Sequence, residues 1–140
     1  MDWKQRLDLH FRKLALEAQG ARAAEAEYGR ECEAYFRDVV GPVLETFAGA
    51  LSEYGRQAAV DLRQRSAELA VTHDGAEEFA WAIESHVGAA GWMVYPVEVS
   101  WARGKARRKP GRFRIQYPDA SFLLNEITSS YLSCLSRRPS

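Results

Sequence analysis

The chain has 140 residues, 46% hydrophobic and 27% charged. That length suits one ordinary domain, and that composition excludes a disordered chain and makes a disulfide or metal staple unnecessary for folding. Lys plus Arg and Asp plus Glu balance at 19 each, which excludes a protein that coats nucleic acid with its whole surface but leaves room for a local basic patch.

The opening MDWKQRLDLHFRKL is charged throughout and has no apolar core of its own. No secretory leader is therefore expected, nor any membrane span, since no apolar run approaches ~18 residues. A cytoplasmic protein is expected. Arg in excess of Lys and abundant Ala match a GC-rich bacterial genome, a lineage bias rather than a physical constraint.

Helical periodicity governs residues 2–54. Trp3, Leu7, Phe11, Leu14, Ala18 and Ala21 recur at spacings of three and four, which draws one apolar stripe along a helix. Asp2 suits its N-cap, and the other face carries Lys4, Arg6, Asp8, Arg12, Lys13 and Glu17. The Ala-rich run after Gly20 lets a packing partner approach closely, and Gly29 is expected to cap the helix end. A second helix then starts near Arg30, with a stripe of Cys32, Phe36, Val39 or Val40, Val43, Phe47, Leu51 and Tyr54. Gly41-Pro42 interrupts it, and the phase survives, which predicts a kink or a restart. The shared Glu-Tyr-Gly-Arg at 27–30 and 53–56 reads as two helices ending in Tyr and a capping Gly, since the flanks do not match as a repeat would.

From residue 57 the period becomes two. QAAVDLRQ, SAELAVTH, EFAWAIES and WMVYPVEVSWA alternate as strands, with Asp74-Gly75 as a tight turn, 88–91 as a loop, and Pro96 at an edge or bulge. RFRIQY (112–117) is read as the last strand. RGKARRKPGR (103–112) then becomes a basic hairpin loop of about eight residues, longer than a turn requires. A helix is expected over 125–137. The predicted fold is one α+β domain spanning 1–140: two long N-terminal helices on an antiparallel meander of about five strands (57–117), with a short C-terminal helix.

Chemistry is sparse. His10, His73 and His86 form no pair at metal-ligand spacing, and Cys32 and Cys134 lie far apart with no C-x-x-C, so two reduced thiols are expected in place of a disulfide. There is no phosphate-binding Gly-rich loop and no nucleophile elbow, and Glu77-Glu78 beside a turn reads as solvated. No cofactor, metal or catalytic residue is nominated, and enzymatic activity is the minority reading. The Trp, Tyr and Phe residues of the sheet region read as core more readily than as a base-stacking platform.

Two surfaces remain as candidates. Trp3, Leu7, Phe11 and Leu14 form a protein interface if the first helix projects from the domain, and a cover for the sheet if it does not. Arg103, Lys105, Arg107, Arg108, Lys109, Arg112 and Arg114 form a basic surface for an acidic partner or for phosphate. The expected function is a non-enzymatic protein–protein interaction or adaptor module, part of a homo- or hetero-oligomer. The alternative is a nucleic-acid-binding module that uses the basic segment.

Overall fold

A computed structural model describes residues 2–102, 105–111 and 113–137. The elements run α1 (Trp3–Tyr35), a five-residue π turn (Phe36–Val40), α2 (Gly41–Ser52), β1 (Gln57–Leu62), β2 (Ser66–His73), β3 (Ala76–Gly88), β4 (Gly91–Ala102), β5 (Lys105–Pro110) and α3 (Ala120–Ser136). This is the α+β arrangement expected from the switch in period, with all five strands antiparallel in the order β1-β2-β3-β4-β5. No helix among the described residues is long and apolar enough to cross a membrane.

The N-terminal helices differ from expectation at their junction. α1 runs through Gly29, which is buried against the guanidinium of Arg65 and caps nothing. The second copy of the tetrapeptide behaves as expected, because Gly55 at φ 76° turns the chain out of α2 into β1. The kink falls just before Gly41-Pro42. Pro42 has no N–H, and its ring would meet the carbonyl of Asp38 in a regular helix. The helix widens into the π turn, where the Gly41 N–H bonds the Phe36 carbonyl five residues back, and α2 resumes with Pro42 in its first turn. The result is one bent helical run.

The sheet follows the alternation read from sequence. The Leu69↔Trp81, Val71↔Phe79 and Ala67↔Ile83 pairs put their side chains on one face. That face meets Cys32, Phe36, Val40, Leu44 and Phe47 from the helical run and Leu123, Ile127 and Tyr131 from α3, and together they form the core. On the opposite face Arg108 reaches to Glu68 at 3.9 Å and Glu84 at 3.5 Å, and small Ala80 and Ala82 are buried there. Asp74 (φ 54°) and Gly75 (φ 78°) make the β2–β3 turn, as the Asp-Gly signal predicts.

The last strand is a correction. The basic segment is not a loop: Lys105–Pro110 is β5, paired with β4 from Ala102↔Lys105 to Val97↔Pro110. The described residues of RFRIQY, 113–117, form no strand, and among them one bridge is found, Val94↔Ile115. Pro96 and Pro110 cannot donate to the ladder. Pairing ends there with a single Gly111 N–H to Pro96 carbonyl bond of 2.7 Å, and the chain leaves the edge before touching β4 again at Ile115. α3 covers the expected 125–137 region up to Ser136 and also takes in 120–124, a stretch whose sequence pattern is ambiguous, since Asp119 accepts from the Phe122 N–H at 2.8 Å and caps it.

The boundary between core and surface predicts a contrast. Leu69 is fully buried, so Leu69→Ala lowers unfolding free energy by roughly 3 kcal/mol. Leu16 on α1 is 68% exposed, so Leu16→Ala stays within about 0.5 kcal/mol. Urea denaturation of the two variants measures both.

Candidate functional site: a projecting helix and its root

α1 is helical for local reasons. Asp2 Oδ1 accepts the Gln5 N–H at 2.8 Å and Gln5 Oε1 accepts the Asp2 N–H at 3.2 Å, a complete capping box. Asp8 and Arg12, one turn apart, pair at 3.0 Å, and Glu27 pairs with Arg30. Tertiary contact begins late. Residues 2–23 are all exposed, and the first buried residue is Gly29. At 1.5 Å per residue, some 25 residues of helix extend nearly 40 Å from the body.

The predicted stripe lies on this projecting part. Trp3 is 66% exposed, Leu7 49%, Phe11 62% and Leu14 44%. The reading in which the stripe covers the sheet is thereby removed. The cover comes from α2, the π turn, the root of α1 and α3. Leu9 and Leu16, seven residues apart on the opposite side, are also exposed.

The root is held by aromatic residues and one carboxylate. Glu31 Oε2 accepts from Trp92 Nε1 at 3.2 Å and from the Tyr117 hydroxyl at 3.1 Å. The Tyr35 hydroxyl donates to the Pro118 carbonyl at 2.5 Å, and its ring packs tilted on Trp92 and edge-on to Tyr117. Tyr117 sits at φ 53°, an unfavourable backbone held in place by these contacts. Burial, then the bond to Glu31, pushes the Tyr117 hydroxyl above its usual pKa, and burial followed by the Asp119 charge does the same for Tyr35.

The basic candidates scatter. Arg103 and Arg112 lie outside the described residues. Lys105 and Arg107 belong to β5, at register positions opposite Ala102 and Ser100. Arg108 is engaged by Glu68 and Glu84, Lys109 stands opposite Glu98, and Arg114 lies over the Tyr95 ring at 5.2 Å.

A second polar cluster was missed in sequence. Glu78 is buried, not solvated. It accepts from Arg56 Nε at 3.3 Å and Arg56 Nη2 at 3.2 Å and from the Tyr131 hydroxyl, and His73 Nδ1 lies 3.7 Å away. Burial alone would raise its pKa. The bonds from Arg56 and Tyr131 and the charges of Arg56 and His73 outweigh that, so the carboxyl sits below its ordinary value. Burial, then the bond to Glu78 and its charge, pushes Tyr131 up to about 12. The cluster fastens β3 to α3 and to the α2–β1 junction. Beside it an apolar recess of about 560 Å³ opens between α2 and α3, lined by Phe47, Leu51, Tyr54, Leu124, Leu132 and Leu135. The signal for Glu78 was weak because its partners lie 22 and 53 residues away.

Cys32 is buried and Cys134 half-buried, and neither forms a disulfide. Among the described residues no group of three or more His, Cys, Asp or Glu could hold a metal ion. No protein-family model, curated protein or solved structure matches the chain.

The Glu78 pKa shift fixes an acid dependence. A carboxyl whose folded pKa is depressed contributes stability above its unfolded pKa, about 4.3, and loses it as pH falls through the folded value. Glu78→Gln therefore lowers stability at pH 7 by roughly 2–4 kcal/mol and flattens the loss of stability below pH ~4.5. Urea midpoints measured from pH 7 to 3 read both effects, and an unchanged acid limb contradicts the assignment.

Proposed function

We propose that the chain is a non-enzymatic protein–protein interaction or adaptor module that works within a homo- or hetero-oligomer, with α1 as its docking element. The observation that carries this reading is the exposure of Trp3, Leu7, Phe11 and Leu14 along one face of a helix standing clear of the body. Four large apolar side chains in register over about three turns are the pattern by which amphipathic helices engage a partner helix or groove. A rigid root supports the same reading, because it holds the helix at a fixed angle to the sheet. Nucleic-acid binding through the 103–112 segment has less support, since Arg108 is already paired with two carboxylates and Arg114 lies over an aromatic ring.

The test uses Leu7→Asp combined with Phe11→Asp. Both positions are exposed, so the thermal midpoint and helical circular dichroism of the purified variant stay close to those of the parent. Proteins that co-purify with the tagged parent from a nuclease-treated native lysate, further copies of the chain included, are absent from the variant. Equal co-purification by both proteins overturns the reading. A variant that unfolds contradicts the exposed placement of the stripe and overturns the reading too.

A further inference from the structure

Resting on the docking role of α1, we propose that its partner is a second copy of the same helix, paired antiparallel, with residues 4–14 of one copy alongside residues 18–28 of the other. Three independent features of the helix choose this arrangement.

The first is size. Along the seam formed by residues 4, 7, 11, 14, 18, 21, 25 and 28, the bulky residues Leu7, Phe11 and Leu14 come early and the small ones, Ala18 and Ala21, come late. The spacing alternates three and four from Leu7 onward, the repeat of a two-helix seam. A parallel pair stacks Phe11 on Phe11 and Ala18 on Ala18, which crowds one end and leaves voids at the other. An antiparallel pair sets Phe11 against Ala21 and Leu14 against Ala18, twice each by symmetry, so that large meets small in every central layer.

The second is charge within the seam. Its two charged members are Lys4 and Glu25, at opposite ends of the projecting helix. Parallel pairing puts Lys4 beside Lys4 and Glu25 beside Glu25, whereas the antiparallel register brings each Lys4 within one turn of the second copy's Glu25. At the flank, Asp8 comes opposite the second copy's Arg22. The balance along the helix agrees: Lys4, Arg6, Arg12 and Lys13 outweigh Asp2 and Asp8 in the first half, and Glu17, Glu25, Glu27 and Glu31 outweigh Arg22 and Arg30 in the second. Such complementarity fixes orientation and register more than it adds affinity.

The third is room. The register uses residues 4–28; residues 4–23 are exposed, and at the far end Tyr28 is half-buried and packed against the chain's own core. The two bodies then sit at opposite ends of the paired helices. The free length of each helix covers the overlap as far as Glu25, and only the Lys4–Tyr28 layer meets the root.

Sedimentation equilibrium at high micromolar concentration gives a mass twice that of the 15.8-kDa chain, and Leu7→Asp with Phe11→Asp returns it to the single-chain mass. Orientation is read by disulfide trapping in a Cys134→Ala background, Cys32 being buried. A mixture of Leu7→Cys chains and Glu25→Cys chains gives a mixed disulfide dimer, and Leu7→Cys alone gives none. Size matching is read by exchange. Phe11→Ala and Ala21→Phe each raise the dimer dissociation constant by about tenfold or more, and the double variant recovers most of the loss because the layer is rebuilt in reverse.

A purified protein that stays monomeric overturns the second-copy partner, while the lysate comparison above still decides the docking role. Leu7→Cys dimers that trap with themselves overturn the antiparallel orientation alone. A dimer indifferent to Leu7→Asp and Phe11→Asp overturns the inference and removes α1 as its seam.

Discussion

The outward course of α1 depends on the hydrogen bonds that hold its root. Glu31, placed where α1 meets the sheet, holds Trp92 of β4 and Tyr117 of the following segment with one carboxylate oxygen. Tyr35, one turn further, closes the same knot by bonding Pro118. Each such bond is worth about 1–3 kcal/mol, the upper values applying where the acceptor is charged. The geometry matters more than the sum. A helix anchored at one end by packing alone could roll about its axis, and a directional hydrogen bond to an indole and a phenol sets the roll. The exposed stripe on α1 therefore faces one direction relative to the sheet.

A second carboxylate plays a comparable part at the other side of the core. Glu78 gathers Arg56, Tyr131 and His73, and so joins three elements remote in sequence. A buried carboxylate surrounded by a guanidinium, a phenol and an imidazole resembles a catalytic centre in composition. Burial opposed by the bonds from Arg56 and Tyr131 leaves its carboxyl below its ordinary value, and burial with the bond to Glu78 lifts the phenol. The satisfied network makes the fold specific where an apolar contact would tolerate sliding.

Much of the fold was legible because its rules are local. The change of period at residue 57, the Asp74-Gly75 turn and the capping Asp2 each announce structure through neighbours in sequence. The errors arose where distant residues decide. Gly29 carries the mark of a cap, yet Arg65 packs over it and the helix continues. RGKARRKPGR looks like a loop by composition, but an edge strand tolerates cations that a central strand would not, and the prolines at 96 and 110 end the pairing before the alternation of RFRIQY begins. The candidate stripe was visible as a stripe. Whether it faced inward could not be read from spacing, because a helix that covers a sheet and a helix that leaves it show the same periodicity. The Glu78 cluster left no mark in spacing at all, since nothing local distinguishes it from the exposed Glu77 beside it.

The strand order carries a consequence for assembly of the chain itself. Every strand pairs with its neighbour in sequence, so each step of sheet formation closes only a short loop and loses little chain entropy. The sheet can grow hairpin by hairpin in the order of synthesis. α3 comes last, and until Tyr131 reaches Phe47, Phe79 and Glu78 the apolar side of β3 has no lid at that end. The C-terminal helix is thus a latch, and a chain interrupted before it would hold a nearly complete sheet with an open hydrophobic face, the state in which edge strands and apolar surface are most liable to aggregate.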